Sequence, residues 1–173
     1  MDPIATRLAQ RLLGTPLIRN DIRGELVEEM VAVALEPEWQ LCAGDWAAFD
    51  LQQAAGPLRI QVKQSAARQS WHAAMSPVPR PSFAIPTKTG RWEGPTWVAE
   101  PSRNAEIFIF AWHPVTDETA DHRDPDQWLF YVVPETSLPA QKTISLPVLG
   151  RLATPIAHHA LRAAVATITR DLT

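Results

Sequence analysis

The chain has 173 residues, 46% of them hydrophobic and 20% charged, which suits one domain with a buried core. Its net charge of −3 and pI near 5.9 exclude the global basicity of a protein that holds nucleic acid by charge alone. The single cysteine, Cys42, excludes an internal disulfide, and no apolar run reaches the ~20 residues of a membrane-spanning helix.

The first segment, MDPIATRLAQRLL, lacks the basic start and apolar stretch of a signal peptide, so a soluble cytoplasmic protein with no membrane partner is expected. Ile4, Leu8, Leu12 and Leu13 predict a short amphipathic helix over 4–13, ended by Gly14 and Pro16. A longer helix follows, capped by Asn20 or Asp21 and closed by Pro37, with Leu26, Val27, Met30, Val31, Ala34 and Leu35 at helical spacing. Strands are expected at 39–43, 46–53 and 58–65, the last two joined as a hairpin through AAGP. SAARQSWHA (65–73) reads as a short helix. Six prolines between 77 and 101 make 72–104 an irregular insertion or flap, with a small strand at SFAIP. AEIFIFAW (105–112) and QWLFYVVP (127–134) read as buried strands on either side of an acidic loop, and KTISL (142–146) as an edge strand. The chain closes with a helix over 153–172 that carries Pro155 in its first turn. This order predicts an α/β fold, a mixed central sheet flanked by helices, in a single domain over 1–173.

The hairpin raises the chemical question. Centring its loop between Ala55 and Gly56 pairs residues whose numbers sum to 111, which sets Asp50 opposite Gln61. Opposed residues on one face have Cβ atoms ~5 Å apart. Lys63, two residues on from Gln61, shares that face. A carboxylate, an amide and an ammonium so placed suit Mg²⁺-dependent hydrolysis, and equally suit a solvated Asp50–Lys63 ion pair. The second helix offers Glu25, Glu28 and Glu29. At 100° per residue Glu28 lies ~110° from the centre of the apolar face, Glu29 ~150° and Glu25 ~170°, so Glu28 is best placed to reach a sheet-borne site.

From Arg59 to Arg103 seven basic residues face two acids, a local +5 in an acidic chain, with Trp71, Phe83, Trp92 and Trp97 interleaved. That mixture suits a phosphodiester backbone and unstacked bases, or ordinary loop cations around core tryptophans. The acids Asp117, Glu118, Asp121, Asp124 and Asp126 would repel nucleic acid, so their loop is expected to face away from such a ligand. The histidines lack zinc-site spacing, no GxxxxGK[ST], GxGxxG or G-x-S-x-G occurs, and Gly90 in KTGRW reads as a turn.

RGELVEEMV, then FDL, then IQVK resemble the restriction-endonuclease-like PD-(D/E)XK superfamily, with its helix glutamate, strand aspartate and (E/Q)-x-K. The resemblance implies Glu28, Asp50, Gln61 and Lys63 as the catalytic set, with Asp50, Gln61 and Glu28 toward Mg²⁺ or Mn²⁺. It implies DNA as partner, held by Arg68, Gln69, Arg80, Lys88 and Arg91. Phe49 stands where the motif has proline, and Gln61 where most members carry an acid; a neutral ligand binds metal less strongly. FDL…RIQVKQSAARQSW, AEIFIFAWHP and DQWLFYVVPETSL are also similar to uncharacterised bacterial proteins with a WDL…VKSSAYLQSW and DQWxFYVxP pattern, where Gln69 and Trp71 fall in the shared segment. A DNA endonuclease is therefore expected. The alternative is an inactive nuclease-fold module that binds nucleic acid or protein, and exposed tryptophans would suit a homodimer.

Overall fold

The computed structural model describes residues 2–42, 47–71, 80–93 and 95–173. Among these residues four α-helices, α1 (Pro3–Leu13), α2 (Asn20–Leu35), α3 (Leu146–Leu152) and α4 (Leu161–Leu172), accompany nine strands. Five of these, β1 (Trp39–Leu41), β2 (Leu51–Gln53), β3 (Arg59–Ala66), β7 (Ile107–His113) and β8 (Leu129–Pro134), form a mixed sheet in the order β1-β2-β3-β7-β8. β3 and β7 run parallel and the other neighbours antiparallel. Two small sheets lie outside it: β4 (Ser82–Ala84) with β9 (Thr143–Ser145), and β5 (Arg91–Glu93) with β6 (Thr96–Val98). The α/β class and the mixed central sheet are thus as the sequence predicts.

The sheet is covered on both faces, which is why β7 is buried at every position. Val27, Val31 and Leu35 of α2 and Leu161 and Val165 of α4 pack on Ile60, Val62, Ile107, Ile109 and Phe130. On the other face, Phe108, Phe110, Tyr131 and Val133 meet Phe83, Ile85, Ile144 and Leu149 from β4, β9 and α3. Each such aliphatic side chain contributes roughly 1.5–3 kcal/mol by leaving water. The alternation along β3 therefore sends Ile60 and Val62 under α2, and Gln61 and Lys63 toward the second face.

Several elements differ from expectation. β2 occupies only 51–53 of the expected 46–53, because the Asp50 side chain takes over the hydrogen bonding of β3 there; residues 43–46 lie outside the described set. Of the helix expected over 65–73, Ser65 and Ala66 belong to β3 and 67–71 form a turn, while 72–73 fall outside the described residues. The expected insertion holds the strand foreseen at SFAIP as β4 and, beyond expectation, β5 and β6 in its described part, while Phe83 and Ile85 anchor it in the second core. KTISL pairs with β4 instead of edging the central sheet. It runs into α3, which the sequence reading lacks and which Pro147 opens. The last α-helix begins only at Leu161, since Ile156 exchanges backbone bonds of 2.9 Å with Phe130 and holds that segment extended. No described helix is long and apolar enough to cross a membrane.

The fully buried His122 ties the loop after β7 to the N-terminal half, while the fully buried His113 binds within that loop, to Asp121 and Gln127. His122 accepts the Ile18 N–H at Nδ1 (3.0 Å), and its Nε2 donates to the Arg68 carbonyl (3.0 Å). Burial, then the charges of Arg23 and His113, push its pKa down to about 4. The unfolded chain takes up this proton near pH 6.5 and the folded chain only near pH 4, so the stabilisation is whole above the first value and fades as pH falls toward the second. Urea unfolding is expected to show His122 removing up to about 3 kcal/mol across that window. His122→Asn should lose that component of the slope; an unchanged slope would remove His122 as its source.

Candidate active site

Asp50 sits at the end of β2, and its carboxylate sets the local geometry. Observed pairs Leu51↔Ile60 and Gln52↔Arg59 keep the 111 register of the sequence. At Asp50 the ladder gives way: its N–H bonds the Ile60 carbonyl (2.9 Å), and its Oδ2 accepts the Val62 N–H (2.5 Å) and the Gln61 side-chain amide. Both bonds fall on Oδ2, which leaves Oδ1 without a partner among the described residues. Beyond Ile60, β3 keeps β7 as its one ladder neighbour among the described residues. Lys63 follows on the same face as Gln61.

These three residues line a cleft of about 380 Å³ with Ala47, Ala48, Lys88, Gly90, Arg91, Trp92, Trp97 and Asn104. Glu28 approaches from α2. It is half-buried, while Glu25 and Glu29 stand exposed, as helical phase requires. Its charge is felt by the others. Burial, then Asp50 and Glu25, raise Glu28 to a pKa of about 7, against the pull of Lys63. Burial also lifts Asp50 above the ordinary carboxylate range, opposed by Lys63 and the two hydrogen bonds. Lys63 is pushed down by burial, with Asp50 and Glu28 opposing and Lys88 reinforcing the shift. Among the described residues neither carboxylate closes an ion pair. Two partly desolvated acids and one partly desolvated ammonium therefore share one site with incomplete compensation.

Among the described residues no three His, Cys, Asp or Glu side chains group to hold a metal. The available donor set is two carboxylates and the Gln61 amide. A second cleft, of about 370 Å³, offers less chemistry. The Arg59 and Arg103 guanidiniums that line it are bound by Glu106 (2.6 Å) and Glu135 (2.7 Å).

The residues expected to hold DNA separate. Lys88 and Arg91 line the cleft, with Arg91 bonded to Glu100 (2.7 Å). Arg80 is exposed and does not line it. The Arg68 guanidinium bonds the Asp117 carbonyl in the acidic loop, away from the cleft lining. Gln69 is buried, donating to the Ala66 carbonyl (2.7 Å) and accepting from Arg23 (2.9 Å).

Arg23 is the residue that sequence reasoning passes over. It is only 1% exposed, and its guanidinium donates to side-chain oxygens of Gln64 (2.8 Å), Gln69 (2.9 Å) and Asn20 (2.8 Å). Burial lowers its pKa to about 10. It thereby clamps the end of β3 and the following turn to the start of α2. The one sequence signal was an arginine four residues before Val27, on the apolar side of the helix.

No family model matches the chain, and no curated protein matches it. Among solved structures, a bacterial homing endonuclease is similar, with a TM-score of 0.43 and 17% identity over 88% of this chain and 94% of that one.

Glu28 gives a stability prediction. An acid whose folded pKa is raised weakens the fold as pH climbs from its unfolded value, 4.5, through about 7. Glu28→Gln should therefore be more stable than wild type near pH 8, by roughly 1 kcal/mol after allowing for solvent screening. The gain should vanish near pH 4, where both states carry the proton. Thermal unfolding at the two pH values reads the difference; an equal effect at both would show that charge is not its cause.

Proposed function

We propose that the chain is a divalent-metal-dependent phosphodiester hydrolase acting on DNA, built on a restriction-endonuclease-like core in a single domain. The observation that carries this reading is the cleft shared by Asp50, Gln61 and Lys63, with the charge of Glu28 coupled to it and Lys88 at its rim. A purely solvated salt bridge would not hold Glu28 at a pKa of about 7 beside a second raised carboxylate.

The donor set fits a hard cation. Mg²⁺ takes one or two protein carboxylates and keeps several waters, so Asp50, Glu28 and the Gln61 amide oxygen suffice. When bound, the ion supplies charge neutralisation at a phosphate oxygen and a more acidic water. The Val62 N–H fixes the Asp50 carboxylate on β3, so its free oxygen is held rigidly for that role. Lys63 stands on the same face to stabilise charge developing on the phosphate or to orient the attacking water. Glu28, on α2 beside this set, would complete the metal's donors or orient the attacking water. Lys88 and Arg91 add positive charge along the strand's path.

One observation favours the second reading, a nuclease-fold module without catalysis. The Gln61 amide donates its N–H to Asp50, which occupies one oxygen of that carboxylate without a metal. Metal binding separates the two readings, since a ligand role requires the amide to present its oxygen instead.

Purified protein with Mg²⁺ or Mn²⁺ is expected to cut DNA, and a chelator to stop it. Lys63→Ala should slow cleavage by about 100-fold or more while calorimetry still detects metal binding. Asp50→Ala should lose both. Equal cutting by Lys63→Ala would place the activity elsewhere. Mg²⁺ affinity should rise with pH through about 7 as Glu28 gives up its proton, and Glu28→Gln should flatten that rise. Absence of metal binding at millimolar concentration, with DNA binding intact, would establish the inactive module.

A further inference from the structure

The described tryptophans fall into a buried set and an exposed one, the latter being Trp71, Trp92 and Trp97. Trp39, Trp112 and Trp128 are buried, at 4%, 8% and 1% exposure, as core residues should be. Trp92 and Trp97 retain 47% and 45% of their surface and line the cleft that holds Asp50 and Lys63. They are cross-strand partners on the β5–β6 hairpin, with ring centroids 5.5 Å apart and planes at 65°. Leaving two indoles half-exposed forgoes burial that large apolar side chains ordinarily gain.

The hairpin is built to hold them there. Gly90 lies so close that an added Cβ would stand 2.7 Å from Cζ2 of Trp97 and 2.3 Å from the Val98 carbonyl. Lys88 exchanges backbone bonds with Ser102 (2.8 and 3.2 Å) at the hairpin's base. The cleft therefore combines two aromatic surfaces, two lysines whose charges repel each other, and the Asp50 carboxylate.

We propose that the β5–β6 hairpin is a base-stacking platform, and that the strand held in this cleft has unpaired nucleotides, as in single-stranded or locally opened DNA. The inference rests on the nucleic-acid reading of the cleft and narrows its substrate. In a duplex both faces of each base are covered by neighbours, so an indole surface beside the reacting phosphate is of use only to bases that have left the stack. At 65° the two rings cannot both lie parallel to one base, so they take successive bases or the face and edge of one. Lys63 and Lys88 then meet the phosphates, and the anion relieves their mutual repulsion.

The test uses the whole chain with calcium in place of magnesium, and a fluorescein-labelled strand of about twelve nucleotides, alone or annealed to a blunt duplex. Wild type should bind the single strand at least tenfold more tightly than the duplex. Trp92→Ala should weaken single-strand binding by roughly 5- to 100-fold, and Trp92→Phe should restore most of it. Trp97→Phe should likewise bind, while Gly90→Ala, which drives a methyl group into Trp97, should bind as poorly as Trp92→Ala. Equal affinity of wild type and Trp92→Ala, or preference for the duplex, would overturn the platform. Magnesium-dependent cleavage is scored separately on both forms. Stacking-dependent binding without any cleavage would remove the hydrolase reading and leave the platform standing. Cleavage and binding unaffected by Trp92→Ala would do the reverse.

Discussion

The hydrogen bond from the Val62 N–H to the Asp50 carboxylate does the work that a further strand residue of β2 would otherwise do. A side chain replaces a backbone acceptor at that point, and three consequences follow. β2 begins only at Leu51, so among the described residues β3 pairs with β7 alone from Gln61 onward. The carboxylate is fixed against the opened edge of β3, with Gln61 and Lys63 on the same face. The β5–β6 hairpin shares the cleft so formed.

Holding such charges half out of water is unfavourable, and the surrounding fold has to bear it. β7 is buried at every position, between an α2/α4 layer and a second layer of β4, β9 and α3. Arg23 adds a polar clamp in the same region, bonding Gln64 and Gln69 after the site strand and Asn20 on α2. The result is a site on regular, well-packed strands with an aromatic hairpin at its rim. At the site, uncompensated charge falls on Glu28, Asp50 and Lys63, where a cation and a phosphate would relieve it.

The hairpin register was legible because strand pairing through a short loop has few solutions, and the apolar alternation of Leu58, Ile60 and Val62 fixes which face turns inward. The exposure order of Glu25, Glu28 and Glu29 was legible for the same kind of reason, since helical phase is local arithmetic. Arg23 was not, because its burial depends on Gln64 and Gln69 arriving from a distant strand and turn. Gln69 illustrates the converse: its polar side chain is spent on Arg23 and the Ala66 carbonyl, which no local pattern signals. In the Pro-rich segment the strand at SFAIP was legible but its partner was not, because Phe83 pairs with the distant Ile144.

By itself the sequence determined the α/β class, the 111 register that pairs Leu51 with Ile60 and Gln52 with Arg59, the shared face of Gln61 and Lys63, and the phase of Glu28 on α2, but not that the ladder breaks at Asp50. Those features depend on near-neighbour geometry, period 2 in a strand and 3.6 in a helix. Tertiary structure alone decided that β2 begins only at Leu51, that Arg23 is buried, and which tryptophans fill the core and which face the cleft. Each of these turns on which remote segment reaches a given backbone or side-chain group first, and that competition is settled only when both layers close over the sheet.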